Sequence, residues 1–410
     1  MQVRRVQRVR ISAVGTFAAL ALVAGCVAGP SGSVPQPTPE PAPAVPSESP
    51  TQAPATTASG SPTQTTAQGL GVSGNRLTLD GQPFLARGFN MVGLLTPERC
   101  PQPPASGLAA RAAFGAPELR QARDAWAATT LRFQVSQRGL DPDDPLHTAA
   151  YVERVVDGVR LARSLDFIVV LSMQDQSISC GTAHPLPTEA TLRAWRTLAP
   201  RFADDPYVAY ELFNEPDNQP TPDGWRQWRD GGSVPLDNQG EPAVGHQRIV
   251  DVIRDLGARN VLIADGARKG AFLSGLPLLD DPLPEAQVAY AVHPYYFHRS
   301  PDATLEQERS RWEHRYGDLA RSVPVLATEW NMRSNGCVPG AGERAPQFLD
   351  FLEERGIGLL VHAFDVPGTV RRDLAGGPPT AFQPGPCDTR GQGVGELVQT
   401  RFQALRAARR

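Results

Sequence analysis

An α/β fold, a single (β/α)8 barrel of the TIM type, is the architecture that this 410-residue sequence predicts. Three observations carry the prediction. Eight short apolar runs are spread over residues 69–410, helix-like stretches lie between them, and polar residues recur where the apolar runs end. Alternating strand-like and helical patterns are the signature of a parallel sheet covered by helices, and eight such units suffice to close a barrel. The rival is a doubly wound open sheet, but the glycine-rich phosphate fingerprint that would mark one is missing.

Taken from the N-terminus, residues 1–25 read as an export signal. Arg4, Arg5, Arg8 and Arg10 form a positive region and Ile11 to Val23 an apolar one. This run is short for a membrane span. It ends in Val23-Ala24-Gly25-Cys26, a lipobox-like sequence that predicts cleavage before Cys26 and lipid on that cysteine. The expected location is the outer face of a bacterial cytoplasmic membrane, through an N-terminal lipid anchor, or else secretion. Residues 26–68 are rich in Pro, Thr, Ser, Ala and Gln, and their only charges are Glu40 and Glu48. Such a segment buries too little apolar surface to fold. It is expected to be a disordered tether, reaching roughly 100 Å if polyproline-like.

Residues 69–410 form the predicted domain. Its expected strands are Phe84–Phe89, Thr129–Val135, Phe167–Met173, Val208–Phe213, Val261–Ala264, Val288–Val292, Val325–Thr328 and Gly358–Phe364. Helical patterns cover Ala149–Ser164, Thr188–Phe202, His246–Leu256, Leu305–Ala320 and Ala345–Arg355. Export permits disulfides. With Cys26 set aside, Cys100, Cys180, Cys337 and Cys387 allow three connectivities. Cys100–Cys180 with Cys337–Cys387 is favoured, because each pair joins neighbouring loops of the barrel. No CxxC or HxxxH spacing supports zinc, and neither a metal nor a cofactor is expected.

Composition narrows the function classes. The net charge is -3, which does not suit a nucleic-acid partner. Lys269 is the single lysine among 40 basic residues, so Schiff-base chemistry has one candidate only. No GxSxG elbow points to an esterase or peptidase. What stands out is a pair of glutamates, Glu215 in Asn214-Glu215-Pro216 and Glu329 in Thr328-Glu329-Trp330. Each follows a buried-strand pattern, at the strand end where barrels of this kind carry their sites. Asn90, Arg132 (mid-strand), Gln174, and His293 with Tyr295 occupy comparable places.

These residues resemble glycoside hydrolase family 5, a family of retaining (β/α)8 enzymes. The resemblance runs from about residue 75 to 400. It begins with Leu79-Asp80-Gly81-Gln82-Pro83-Phe84-Leu85-Ala86-Arg87-Gly88-Phe89-Asn90. It continues through Thr130-Leu131-Arg132-Phe133, Asn214-Glu215-Pro216, His293-Pro294-Tyr295 and Thr328-Glu329-Trp330. It implies that Glu215 is the general acid/base, which must be protonated to help the leaving oxygen depart. Glu329 would be the nucleophile, which must stay ionised. Arg132 would supply positive charge, Tyr295 a hydrogen bond, Asn214 a contact to the sugar 2-hydroxyl, and His293 the wall beside the acid/base. For retention the two carboxyl groups should stand about 5–5.5 Å apart.

Two departures bear on substrate fit. The family commonly ends strand three with a histidine, where this sequence has Gln174. It commonly ends strand eight with a tryptophan under the sugar, where this sequence offers His362 or Phe364. Trp225, Trp228, Tyr296 and Trp330 are candidate sugar platforms, although the i,i+3 spacing of Trp225 and Trp228 equally suits a helix core. The expected activity is cleavage of a β-linked glucan or mannan-like chain by a monomer. An exo-acting enzyme for small glycosides is the alternative, given the long Leu94–Pro117 and Thr221–Gly245 insertions. A glycan-binding lipoprotein without turnover is the reading from another class.

Overall fold

The computed structural model describes residues 68–100, 112–233, 240–276, 287–332, 338–374, 376–382 and 393–408. The signal segment, Cys26, the tether up to residue 67 and the Cys337–Cys387 pairing lie outside these residues.

A small antiparallel sheet opens the domain: β1 (Leu70–Ser73), β2 (Arg76–Leu79) and β3 (Gln82–Pro83). Asp80 and Gly81 both take positive φ in the two-residue turn between β2 and β3, the conformation that Asp-Gly favours in tight hairpins. Eight parallel strands then close a barrel: β4 (Arg87–Met91), β5 (Thr130–Ser136), β6 (Ile168–Gln174), β7 (Val208–Glu211), β8 (Leu262–Asp265), β9 (Val288–Val292), β10 (Val325–Trp330) and β11 (Gly358–Val361). The first lies a few residues later than the apolar run suggests. Phe84 and Ala86 instead pack beneath the barrel with Leu77 of β2, sealing its floor.

The helices are α1 (Ala116–Asp124), α2 (Gln137–Leu140), α3 (Ala149–Arg163), α4 (Glu189–Leu198), α5 (Pro222–Asp230), α6 (His246–Asp255), the single turn α7 (Ala267–Gly270), α8 (Leu305–Trp312), α9 (Ala341–Arg355) and α10 (Gly395–Ala407). Caps fix their starts. Thr148 accepts from Tyr151 N at α3, and Thr304 and Gln307 form a reciprocal capping box at α8. The expected helix at 305–320 ends early, because a single π-helical stretch takes over at Glu313. Helix α5 lies inside the Thr221–Gly245 insertion. Its start carries both usual signals, a Thr221 cap and Pro222 in the first turn.

Alternation along the strands sorts the side chains into two environments. Outward residues such as Leu131, Phe133, Leu171, Tyr210 and Val292 meet the helices in one large core. Inward residues change character with height. Val170, Ala209, Ile263, Ala291, Leu326 and Leu360 fill the lower barrel. Above them come Arg132, Ser172, Glu211, Asp265 and Thr328, all buried and all polar. Gly88 leaves room at this crossing, since a Cβ there would fall 1.6 Å from the Thr130 carbonyl oxygen.

Strand β10 breaks the alternation. Its register against β11 shifts between Ala327 and Trp330. The bulge lets Thr328 and Glu329 both reach inward and sends Trp330 outward. Trp330 is therefore fully buried against Phe297 and Phe348, which corrects its expected role as a sugar platform.

The disulfide Cys100–Cys180 is formed, with the Cα atoms 6.1 Å apart. It ties the loop after β4 to the turn after β6.

Candidate active site

Arg132 organises the upper barrel. Its side chain is wholly buried, and its guanidinium donates to Glu211, Glu329, Asn90 Oδ1 (2.6 Å), Ser172 Oγ (2.7 Å) and Asn214 Oδ1 (2.7 Å). A planar fork with five N–H groups can saturate itself in this way while keeping its charge. Burial opposes that charge, but Glu211 and Glu329 outweigh it and raise the pKa further.

Glu329 receives a hydrogen bond from Arg132, one from Gln134 Nε2 (2.8 Å) and one from the Tyr295 hydroxyl (2.7 Å). Burial works against ionisation, yet His293 and Arg132 hold the carboxyl well below the usual range. Burial and Glu329 push the Tyr295 phenol far up, so it remains a neutral donor.

Glu215 sits in the loop after β7, in a left-handed conformation with φ of 54°. Its side chain is 24% exposed against 7% for Glu329. Its backbone N–H donates to Asp265 Oδ2 (3.0 Å), and its Oε1 lies 3.2 Å from His293 Nδ1. One oxygen of Glu215 and one of Glu329 come within 4.8 Å of each other.

His293 lies between these groups. Its Nε2 faces Thr328 Oγ1 at 3.1 Å, and its Nδ1 is 3.9 Å from Glu329. Burial lowers its pKa, but Glu329 foremost and the Glu215 hydrogen bond push it up to about 9. Asp265 is held well above the carboxylate range by burial and by the adjacent Glu211, whereas Arg132 keeps Glu211 below it against burial. Two buried cations, Arg132 and His293, thus face two buried anions, Glu211 and Glu329. The positive charge that a metal would bring to these carboxylates is already supplied by the protein.

A pH prediction follows. The folded-state pKa of His293 exceeds the ordinary value of 6.5. Its contribution to stability is therefore complete below about 6.5 and is lost as pH rises to about 9. Thermal unfolding of the wild type should weaken across that window, and His293→Gln should flatten the dependence. An unchanged slope would refute a charged His293.

The other expected site residues divide. Asn214 presents its carbonyl oxygen to Arg132. Asn90 is fully buried and spends its donors on the Thr328 and Leu360 carbonyls, so it braces Arg132 rather than facing the cleft. Gln174 is buried and donates to Ser172 Oγ (3.1 Å). At strand eight, Phe364 packs outward against Phe89, with ring centroids 4.6 Å apart, and Trp126. It is His362, half-buried, that reaches the rim, where burial keeps its imidazole neutral despite the pull of Glu329. Trp225 and Trp228 are fully buried in α5 and pack edge to face, and Trp228 stacks on His246. They are core residues, which corrects them as platforms. Tyr296 is 56% exposed, next in the chain to Tyr295.

Sequence reasoning missed Gln134, Glu211, Asp265 and Thr328. The signal for Gln134 and Glu211 was the pleat. Gln134 lies two residues beyond Arg132 on the inward face, and Glu211 two beyond Ala209.

Comparison with known proteins identifies the family. The cellulase family, glycosyl hydrolase family 5, matches residues 80–366. A cellulase from a Thermoanaerobacterium species is 23% identical over 254 residues, 57% of this chain and 56% of that protein. An endoglucanase from Halalkalibacter akibai is 27% identical over 251 residues, 57% of this chain and 30% of that protein. This chain thus matches about half or less of the length of these relatives. A solved β-glucanase from Saccharophagus degradans superposes with a TM-score of 0.61 at 19% identity, covering 83% of this chain and 94% of that one. With the family pattern spanning most of the barrel and the fold matching throughout, the chain belongs to glycosyl hydrolase family 5, the cellulase family.

Proposed function

We propose that the chain is a retaining β-glycoside hydrolase that cleaves a β-linked glucan or a mannan-like chain. The observation that carries this reading is the pairing of Glu215 and Glu329. One oxygen of each lies within 4.8 Å of the other, which fits the short carboxyl separation of a retaining enzyme better than the roughly 6.5–9.5 Å of an inverting one. Their surroundings also differ, as two roles require: Glu329 is ringed by donors, and Glu215 is partly open.

Ionised Glu329 attacks the anomeric carbon while Glu215 transfers its proton to the departing glycosidic oxygen. The glycosyl–Glu329 ester forms as the glycosidic bond breaks. Water then gives a proton to Glu215, its oxygen bonds to the anomeric carbon, and the ester bond breaks to free Glu329. With Oδ1 committed to Arg132, Asn214 has its amide N–H2 to offer the sugar 2-hydroxyl. His362 and Gln174 make the wall of the cleavage site polar, and Tyr296 offers an open aromatic face. The names of the matched cellulase and endoglucanase favour glucan as the substrate. Lipid attachment at Cys26, export and a monomeric state complete the reading. Among the described residues no helix is long and apolar enough to cross a membrane.

The test is a screen of β-glucans, β-mannans and aryl β-glycosides, with the product anomer followed by NMR. Freshly released sugar should be the β-anomer. Glu215→Ala should lower kcat/KM by about 10²–10⁴-fold on poor leaving groups and far less on dinitrophenyl glycosides, which need no acid. Turnover of no β-glycoside by the wild type, or release of the α-anomer, would overturn the proposal. Chain-end release without internal cleavage would identify the exo-acting form.

A further inference from the structure

Asp265 ends β8 beneath the catalytic pair, fully buried, where the reaction gives it no task. Its contacts nevertheless converge on Glu215. Oδ2 accepts the Glu215 backbone N–H at 3.0 Å and lies 3.5 Å from His293 Nε2. The opposite nitrogen of that same imidazole faces the Glu215 carboxyl. One residue thus touches the acid/base at the backbone directly and at its carboxyl through one ring.

We propose that Asp265 is the positioning residue of the acid/base, holding Glu215 in its left-handed turn and orienting its carboxyl through His293. The inference rests on Glu215 being the acid/base, and goes beyond it in naming what aims it.

Two further observations support this role. Glu215 has a β-carbon and φ of 54°, a strained conformation for such a residue that persists only where neighbours enforce it. The chain turns here so that Glu215 faces the cleft, and the Asp265 carboxyl accepts the N–H of this turn. In addition, Asp265 Oδ1 is buried against the Glu211 carboxylate and meets no N–H or O–H donor among the described residues. An ionised carboxylate would be costly there, and burial with Glu211 raises the Asp265 pKa accordingly. The group at work is therefore a neutral acid, which an amide can imitate. The charged and titratable groups around it are Glu211 on β7, Arg132 on β5, His293 after β9, and Glu215 and Glu329 at the rim.

The experiment compares Asp265→Asn and Asp265→Ala. The amide keeps an acceptor for the Glu215 N–H and places N–H2 toward Glu211. The alanine has neither. On glycosides with poor leaving groups, Asp265→Ala should lower kcat/KM by roughly 10–100-fold, part of the full general-acid effect. On dinitrophenyl glycosides it should change by less than about 3-fold, and Asp265→Asn should stay within about 3-fold of wild type on both. Equal losses on both substrate classes, or an Asp265→Asn variant as impaired as Asp265→Ala, would overturn the proposal. A second readout does not need turnover. Hydrogen exchange at the Glu215 amide should stay slow in Asp265→Asn and speed up at least about 10-fold in Asp265→Ala; unchanged exchange in Asp265→Ala would also overturn it. A wild type inert on every glycoside would refute the glycosidase reading instead, and the exchange result would still decide the positioning role.

Discussion

Glu329→Ala should lower kcat on every β-glycoside by about 10⁴–10⁶-fold, the scale seen when a nucleophile is removed from a set of residues acting as a unit. The loss should not depend on the leaving group, because no glycosyl–enzyme bond forms at all. This separates it from Glu215→Ala, whose deficit shrinks as the leaving group improves. The cavity left by the carboxylate should admit azide. Azide would approach from the face that Glu329 occupied and yield the α-glycosyl azide. Steady-state kinetics with product NMR reads both effects. Residual activity above about 1% of wild type, in protein free of wild-type contamination, would refute the nucleophile assignment.

Arg132→Met should be the most destabilising single change in the barrel. The side chain fits in volume, but Glu211 loses its cation in a fully buried site. Removing one partner of a buried ion pair costs about 3–5 kcal/mol, which lowers the midpoint of thermal unfolding by roughly 10 °C in a domain of this size. Adding Glu211→Gln should recover part of that loss, because the stranded charge goes. It should not recover activity, because Glu329 still lacks the guanidinium that favours its ionised form. Calorimetry on the single and double variants checks this. A single variant within about 1 kcal/mol of wild type would show that the network relaxes around the gap.

The barrel was legible because its strands are buried on both faces. Runs such as Val288–Val292 coincide with the observed strand to the residue, since a strand packed against helices outside and side chains inside has no polar face to blur its ends. Glu215 and Glu329 were legible for the opposite reason: a charge at the end of an apolar run has no packing explanation. Glu211 and Asp265 are charges at strand ends too, but the expected strand Val208–Phe213 runs past Glu211 and hides it, and the expected strand Val261–Ala264 stops short of Asp265 and leaves it to the loop. Trp330 misled because adjacency in sequence suggested a shared surface, and the bulge in β10 removes that inference. Trp225 and Trp228 misled in a milder way. An aromatic pair at i,i+3 marks one face of a helix, but whether that face meets sugar or core depends on what α5 leans against.

The bulge in β10 has a consequence for how this strand tolerates change. A strand writes its side chains in a two-letter rhythm, and one extra residue resets the phase for everything after it. Deleting Thr328, the residue between Ala327 and Glu329, would therefore remove the bulge itself and leave a plain alternation. Ala327 would still point outward, Glu329 inward and Trp330 outward, so the carboxylate would keep its face and only the Thr328 hydroxyl would be lost. What β10 cannot lose is the bulge with its residue count unchanged: a plain strand of this length would turn the carboxylate into the helix-packed layer and the indole into the cleft.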